Sequence, residues 1–266
     1  MTSVPFTKAS ACGNDFLIID AHQAPADMNE FTRRICDRHN GIGADGVEWL
    51  LPASDADAAI RLINADGSEA EISGNGTRCV AAYLVANGAK SKLAIRTGAG
   101  IKRCELLSST DTSFDFEMNM GSATVGKPFE LKISGREVTG TPVSMGNPHF
   151  VVFVDEFPLN WQAEAAEIQR QPNFKESVNV EYVRVAGINH IEVRFFERGA
   201  GETQSSGTGS CASASASIVA ARVVSPVTVH AEGGAQTVRW SGESIFLRGP
   251  AQIICRGEYF AGDLRG

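Results

Sequence analysis

Two short glycine-rich segments carry the strongest chemical signal in the chain. Ser73-Gly74-Asn75-Gly76 and Ser206-Gly207-Thr208-Gly209 each introduce an alanine-rich stretch with few charges, and they stand 133 residues apart. A helix that begins at such a segment leaves backbone N–H groups unpaired at its positive end. Glycine there lets a ligand approach the backbone without side-chain obstruction. The chemistry on offer is anion binding, with one carboxylate held between two such helix starts. Two tight turns that only let a helix enter a sheet would read the same way.

Polar residues gather near the same positions. Asn14, Asn64, Asn75, Asn147 and Asn179 fall at the ends of predicted strands or in loops, and Glu197-Arg198-Gly199 follows another strand. Asn is a common turn residue, and Glu beside Arg is often a solvated ion pair. The same inventory also suits a zwitterion, supplying donors for carboxylates and a carboxylate for an ammonium group.

The elements that position these residues are written twice. Gly13-Asn14 leads into the apolar run Phe16–Ile19, and Gly146-Asn147 leads into Phe150–Val154 at the same shift of 133. Arg61 maps to Arg194, Asn64 to Glu197, Glu69 to Glu202, and Val47-Glu48 to Val180-Glu181. That period is far too long for a solenoid. It implies duplication and fusion, with two lobes facing each other across a pseudo-twofold axis.

Each lobe reads as α/β (α+β), a curved, mostly antiparallel sheet wrapped around one central helix. Strands are predicted at Phe16–Ile19, Ile60–Ile63, Leu93–Arg96 and Phe114–Met118. In the second half they are predicted at Phe150–Val154, Val180–Val185, Ile191–Phe196, Val227–Val229 and Ile253–Cys255. Helices are predicted at Asn29–His39, with an Asn cap, at Leu159–Gln169, and after the glycine segments at Thr77–Asn87 and Ser210–Val224. The lobes are expected to span 1–122, completed by about 256–266, and 123–255.

Composition narrows the class. A net charge of −7 without a basic stripe speaks against a nucleic-acid partner. No apolar run approaches a membrane span, and the N-terminus has no apolar signal core. The six cysteines form no CxxC pair and read as reduced thiols in a cytoplasm. The five histidines lack metal-ligand spacing, so no metal or phosphate site is expected.

At this point the motifs resemble a known family. Cys12-Gly-Asn-Asp-Phe16, His39-Asn-Gly-Ile-Gly-Ala-Asp-Gly46, Asn64-Ala-Asp-Gly-Ser-Glu69 and Gly74-Asn-Gly-Thr-Arg-Cys79 are similar to the first-lobe blocks of the diaminopimelate epimerases. Ser144-Met-Gly-Asn-Pro-His149 and Glu197-Arg-Gly-Ala-Gly-Glu-Thr203 resemble the second-lobe blocks. The resemblance runs from about residue 6 to residue 260. It implies two α/β lobes and interconversion of LL- and meso-diaminopimelate without pyridoxal phosphate, metal or other cofactor. The partner it implies is a small zwitterionic amino acid, and it leaves a homodimer open.

Carried over by position, Gly74, Asn75, Gly207 and Thr208 bind the reacting carboxylate through backbone N–H groups, with Gly76 and Gly209 completing the loops. Asn64, Asn179 and Arg198 hold the distal amino-acid head. Asn14, Asn147, His149 and Glu197 line the reacting centre, Glu197 orienting the ammonium group. The family's two cysteines, one on each face of the α-carbon, fall at Ser73 and Ser206. A serine hydroxyl is far less acidic than a thiol of pKa about 8.5 and needs a neighbouring base. His149 and Glu197 are the candidates. The readings are an epimerase with unusual bases, a one-base isomerase or lyase of the same fold, or an amino-acid binder without turnover.

Overall fold

The computed structural model describes residues 2–261. In chain order the first elements are β1 (Thr2–Ala11), β2 (Asn14–Asp20), α1 (Met28–Cys36), β3 (Gly46–Leu51), β4 (Ala58–Asn64) and β5 (Glu69–Ala70). They continue with α2 (Gly74–Ala86), β6 (Lys92–Thr97), β7 (Gly100–Ser109) and β8 (Ser113–Gly121). The second series is β9 (Thr124–Val125), β10 (Phe129–Ile133), β11 (Arg136–Ser144), β12 (Pro148–Phe153), α3 (Trp161–Gln169), β13 (Asn179–Gly187) and β14 (His190–Glu197). It ends with β15 (Gly201–Thr203), α4 (Gly207–Val219), β16 (Val227–Ala231), β17 (Gly234–Trp240) and β18 (Ile245–Ala261).

Two compact units emerge, Met1–Met118 with Gly249–Gly266, and Asn119–Arg248. The sequence expectation put the corresponding boundaries at 122/123 and near 255/256. Residues of β18 from Gln252 onward pair antiparallel with β1, which draws the end of the chain into the first unit.

In the first unit the strands follow one another as β1–β2–β3–β4–β6–β7–β8–β18, and β18 pairs back with β1 to close the ring. The pairs β2·β3 and β4·β6 are parallel. The second unit repeats the pattern as β9–β11–β12–β13–β14–β16–β17–β18, with β12·β13 and β14·β16 parallel. The shift of 133 seen in the motifs also holds for the helices, since α1 begins at 28 and α3 at 161, and α2 begins at 74 and α4 at 207.

One helix in each unit is central. The buried side of α2 runs from Asn75 through Ala82, and that of α4 covers every residue from Gly209 to Ser217. Small residues make this burial feasible, because an Ala- and Ser-rich helix lets surrounding strands approach closely. Helix α4 lies against β9, β11, β12, β13, β14, β16 and β17. The other helices cover the opposite sheet faces: Val47 and Trp49 of β3 pack with Phe31 and Ile35 of α1, and Val180 and Tyr182 of β13 pack with Ala165 and Ile168 of α3. A strand's period of two then sends Glu48 and Glu181 to the central-helix side.

All the expected strands are present, within longer segments except that β12 stops at Phe153, one residue short of Val154, and the helices differ at their ends. Helix α1 is capped by Asp27, whose carboxylate accepts from Glu30 N, while the expected cap Asn29 sits inside the helix and donates to Gly67 O. It stops at Cys36 rather than His39 because Asp37 Oδ1 captures the N–H groups of His39 and Asn40. Helix α4 stops at Val219, short of Val224, where Ala221 turns to a φ of 54°. Helices α2 and α4 start three residues early because Ser73 and Ser206 are themselves the caps. Strands β1, β3, β5, β7, β9, β10, β11, β15 and β17 are additional to the sequence expectation; much of β7 faces solvent and lacks a continuous apolar run.

Candidate active site

The second unit holds a dense cluster at the start of α4. Ser206 is extended (φ −142°) and its Oγ accepts from Gly209 N at 3.2 Å, the geometry of an N-cap. Its own hydroxyl donates to Glu197 Oε1 at 2.8 Å. Glu197 ends β14, and its other oxygen accepts from Thr203 Oγ1 at 2.8 Å. One carboxylate therefore collects both hydroxyls.

A second relay lies beside it. His149 of β12 pairs through Nδ1 with Glu181 Oε1 at 2.6 Å and through Nε2 with Asn147 Oδ1 at 3.0 Å. Asn147 Nδ2 in turn donates to Thr208 Oγ1 at 3.4 Å, tying this relay to the first turn of α4. His149 and Glu181 are both fully buried, and burial raises the Glu181 carboxyl above the ordinary glutamate value while His149 works against the rise. Asn179 opens β13 and holds the backbone, donating to Pro148 O at 3.1 Å and accepting from Arg198 N at 2.9 Å. The Arg198 guanidinium donates to Glu176 O at 3.0 Å.

The first unit repeats the cap with different company. Ser73 Oγ accepts from Gly76 N at 3.0 Å, and Ser73 O takes both the N–H and the hydroxyl of Thr77. Asn75 Nδ2 donates to Asn14 Oδ1 at 2.7 Å, and Asn14 Nδ2 donates to Asp45 Oδ2 at 3.0 Å. Fully buried Arg78 anchors this chain by donating to Asn75 Oδ1. Asn64 closes the β4–β5 turn, donating to Ser68 Oγ at 3.0 Å. Asn64 occupies the position that Glu197 has in the second unit, and Phe16 that of His149.

Of the expected residues, Ser206, Glu197, Asn147, His149 and Thr208 form one connected group in the second unit. Ser73, Gly74, Asn75, Gly76 and Asn14 form another in the first. Of the two expected bases, Glu197 is the one bonded to a serine; His149 is bonded to Glu181 instead. The N–H groups of Gly76 and Gly209, both expected to complete the ligand loops, are taken by the serine caps. Cys79 and Cys211 are fully buried, burial pushes Cys36 and Cys104 up to about 12, and Cys12 Sγ accepts from Arg78 Nη2 at 3.6 Å.

Two carboxylates escaped the sequence reading as chemical groups. Glu48 and Glu181 lie inside, each against the glycine two residues into its central helix: a Cβ at Gly76 would come 2.0 Å from Glu48 Oε1, and one at Gly209 2.9 Å from Glu181 Oε1. The usable signal was a glutamate recurring at the shift of 133 within otherwise apolar runs, Val47-Glu48-Trp49 and Val180-Glu181-Tyr182.

Comparison with known proteins agrees with this architecture. Residues 6–126 and 141–254 match the family model described as diaminopimelate epimerase. The chain is 37% identical to a diaminopimelate epimerase of Pelotomaculum thermopropionicum, over 96% of this chain and 98% of the relative. It is 38% identical to that of Carboxydothermus hydrogenoformans, over 96% and 99%. Among solved structures, a Bacillus anthracis phenazine biosynthesis protein of the PhzF family shares the fold with a TM-score of 0.75 at 18% identity, covering 98% of this chain and 100% of that one. A probable proline racemase of Agrobacterium radiobacter does so with a TM-score of 0.72 at 16% identity, over 98% and 94%. With the family model matching most of the chain and full-length kinship at more than a third identity, the chain belongs to the diaminopimelate epimerase family.

Proposed function

We propose that the chain is an amino-acid epimerase that moves the α-proton of LL- and meso-diaminopimelate without a cofactor, as a cytoplasmic step toward lysine and peptidoglycan. Ser73 and Ser206, one in each half-site of an internal duplication, handle the proton in this reading. A single base would return the proton to the face it left, so inversion needs a group on each side. The N–H groups of Gly74, Asn75, Gly207 and Thr208 take the reacting carboxylate, while Asn64, Asn179 and Arg198 take the distal head.

The observation that carries the proposal is the Ser206–Glu197 hydrogen bond at a helix start. As Ser206 Oγ removes the α-proton, its own proton passes to Glu197, so the serine never bears a full negative charge and the carboxylate is neutralised. Positive helix-end potential favours the electron density left on the substrate.

The test is incubation with LL-diaminopimelate in deuterated water, followed by NMR of the α-position and chiral separation. Exchange with inversion is the expected result. Exchange with full retention would show a one-base isomerase, a reading favoured by the lack of a carboxylate hydrogen bond to Ser73 among the described residues. Measurable binding with no exchange would show a binder and end the proposal.

A further inference from the structure

We propose that Glu48 is the proton store of the first half-site, a positioning residue that exchanges its proton with the substrate through the Ser73 hydroxyl. The inference rests on the epimerase reading and deepens it.

Glu48 is fully buried, and neither carboxyl oxygen has a hydrogen-bond partner among the described residues. A buried polar group left unpaired is destabilising, and no hydrogen bond among the described residues offsets that cost here. The carboxyl is also aimed. The point where a Cβ on Gly76 would lie is 2.0 Å from Glu48 Oε1 and 3.2 Å from Ser73 Cβ. Glycine at 76 lets the carboxyl rest on the first turn of α2, beside the serine that caps it.

The comparison of the two units sharpens the point. The corresponding Glu181 touches Gly209 but is bonded to His149. In the first unit Phe16 replaces that histidine and Asn64 replaces Glu197, so both proton-handling partners of the second half-site are missing. Glu48 is the carboxyl that remains beside the first serine.

Its surroundings keep it protonated yet exchangeable. Ile18 and Leu62 flank it on the neighbouring strands. On α2, Cys79 is the ionisable neighbour, a fully buried thiol raised first by its own burial. Arg78 turns its guanidinium to Pro250 O, Cys12 Sγ and Asn75 Oδ1. Burial lifts the Glu48 carboxyl to about 8.

The transfer balances without another reactant. Ser73, whose Oγ is already held by Gly76 N, gives its hydroxyl proton to the α-carbanion. Glu48 gives its carboxylic proton to Ser73 Oγ, with a rotation of the Ser73 hydroxymethyl bringing the two together. A C–H bond forms, Glu48 becomes a carboxylate and Ser73 ends as a neutral hydroxyl; the reverse direction restores the acid.

The experiment compares the full-length protein with Glu48→Gln on LL- and on meso-diaminopimelate in deuterated water, across pH. The wild type is expected to exchange and invert both. In Glu48→Gln, inversion should fall on the order of 100-fold, while one of the two isomers keeps exchanging with retention through Ser206 and Glu197. The pH limb near 8 should vanish from the inversion rate. Inversion within twofold of wild type with the limb intact overturns the proposal, as does equal loss of exchange from both isomers in a folded variant. Failure of the wild type to exchange or invert overturns the epimerase reading itself. Should Glu48→Gln not fold, infrared titration of the wild type decides: a carboxylic C=O band lost near pH 8 and perturbed by meso-diaminopimelate is expected, and its absence refutes the store.

Discussion

Ser206 and Glu197 are joined by a 2.8 Å hydrogen bond that spans the end of β14 and the start of α4. The serine caps the helix and faces a base at the same time, because its oxygen accepts from Gly209 N while its hydrogen points to the carboxylate. Ser73 performs the same capping in the first unit, but the carboxyl that rests on the same helix turn is the buried Glu48 rather than a partly exposed acceptor. The two halves share a backbone plan and differ in how a proton would be held.

Glu197→Gln tests the base directly. The amide keeps the size of the side chain and can still accept from Ser206, but it cannot take its proton. Exchange of the α-proton is expected to fall by about 10²–10⁴-fold, the usual range for a positioned acid–base group. Glu197 is partly exposed, so the thermal midpoint should move little. Exchange reduced by less than tenfold in the folded variant would remove Glu197 from the role.

Glu48 makes a separate prediction about stability against pH. Its carboxyl sits at about 8 in the folded protein against an ordinary 4.5. Below pH 4.5 both states hold the proton and the group has no effect. Between 4.5 and 8 the unfolded chain has released its proton and the folded chain has kept it, so folding grows less favourable as pH rises. The slope is at most about 1.4 kcal/mol per pH unit for one group, and the loss is complete above 8. Glu48→Gln abolishes this contribution. Urea denaturation at pH 5 and pH 8 should show the variant gaining on the wild type toward the alkaline side, and parallel behaviour of the two would refute the buried acid.

Much of this was legible in the sequence, and the reason is the repeat. Motifs such as Gly13-Asn14 and Gly146-Asn147, or the two serine–glycine segments, mark the start of β2, β12, α2 and α4 because chain reversal and capping are local events governed by residue type. Helix ends were less legible: Asp37 stops α1 by capturing two N–H groups, which depends on side-chain orientation. Glu48 and Glu181 were hidden for a different reason. Alternation of polar and apolar residues normally turns the polar face to water, but here both faces of β3 and β13 are covered by helices. The pairing of Ser206 with Glu197 likewise depended on the β14–β15 turn returning the chain to α4, which spacing alone does not reveal.

Gly76→Ala tests the close approach of Glu48 to α2. A methyl group would lie 2.0 Å from Glu48 Oε1, so the carboxyl or the helix start must move. Overpacking of a buried site costs about 1–3 kcal/mol, partly offset by the better helix propensity of Ala. Combining it with Glu48→Ala removes the clashing atoms, and the double variant should be more stable than the two single effects add up to. A thermodynamic cycle by urea denaturation measures this coupling. Strict additivity would mean that the two side chains do not meet.

Ser73→Cys combined with Ser206→Cys tests the identity of the two reacting positions. A thiol has a pKa of about 8.5 and is lowered further at a helix N-terminus, so a useful fraction ionises near neutrality. Both caps are extended residues followed by glycine segments that accommodate a slightly larger sulfur atom, and Cys at either site can still receive the Gly76 or Gly209 N–H weakly. Loss of the oxygen cap should cost about 1 kcal/mol per helix, read as a small fall in thermal midpoint. Against that, inversion of diaminopimelate should rise by at least about tenfold, since proton transfer improves as the group's pKa approaches the working pH. The single variants should gain less than the double one, because inversion passes through both positions in turn. A folded double variant that binds diaminopimelate but gains no inversion over the wild type would mean that the reacting carbon does not lie beside these two caps.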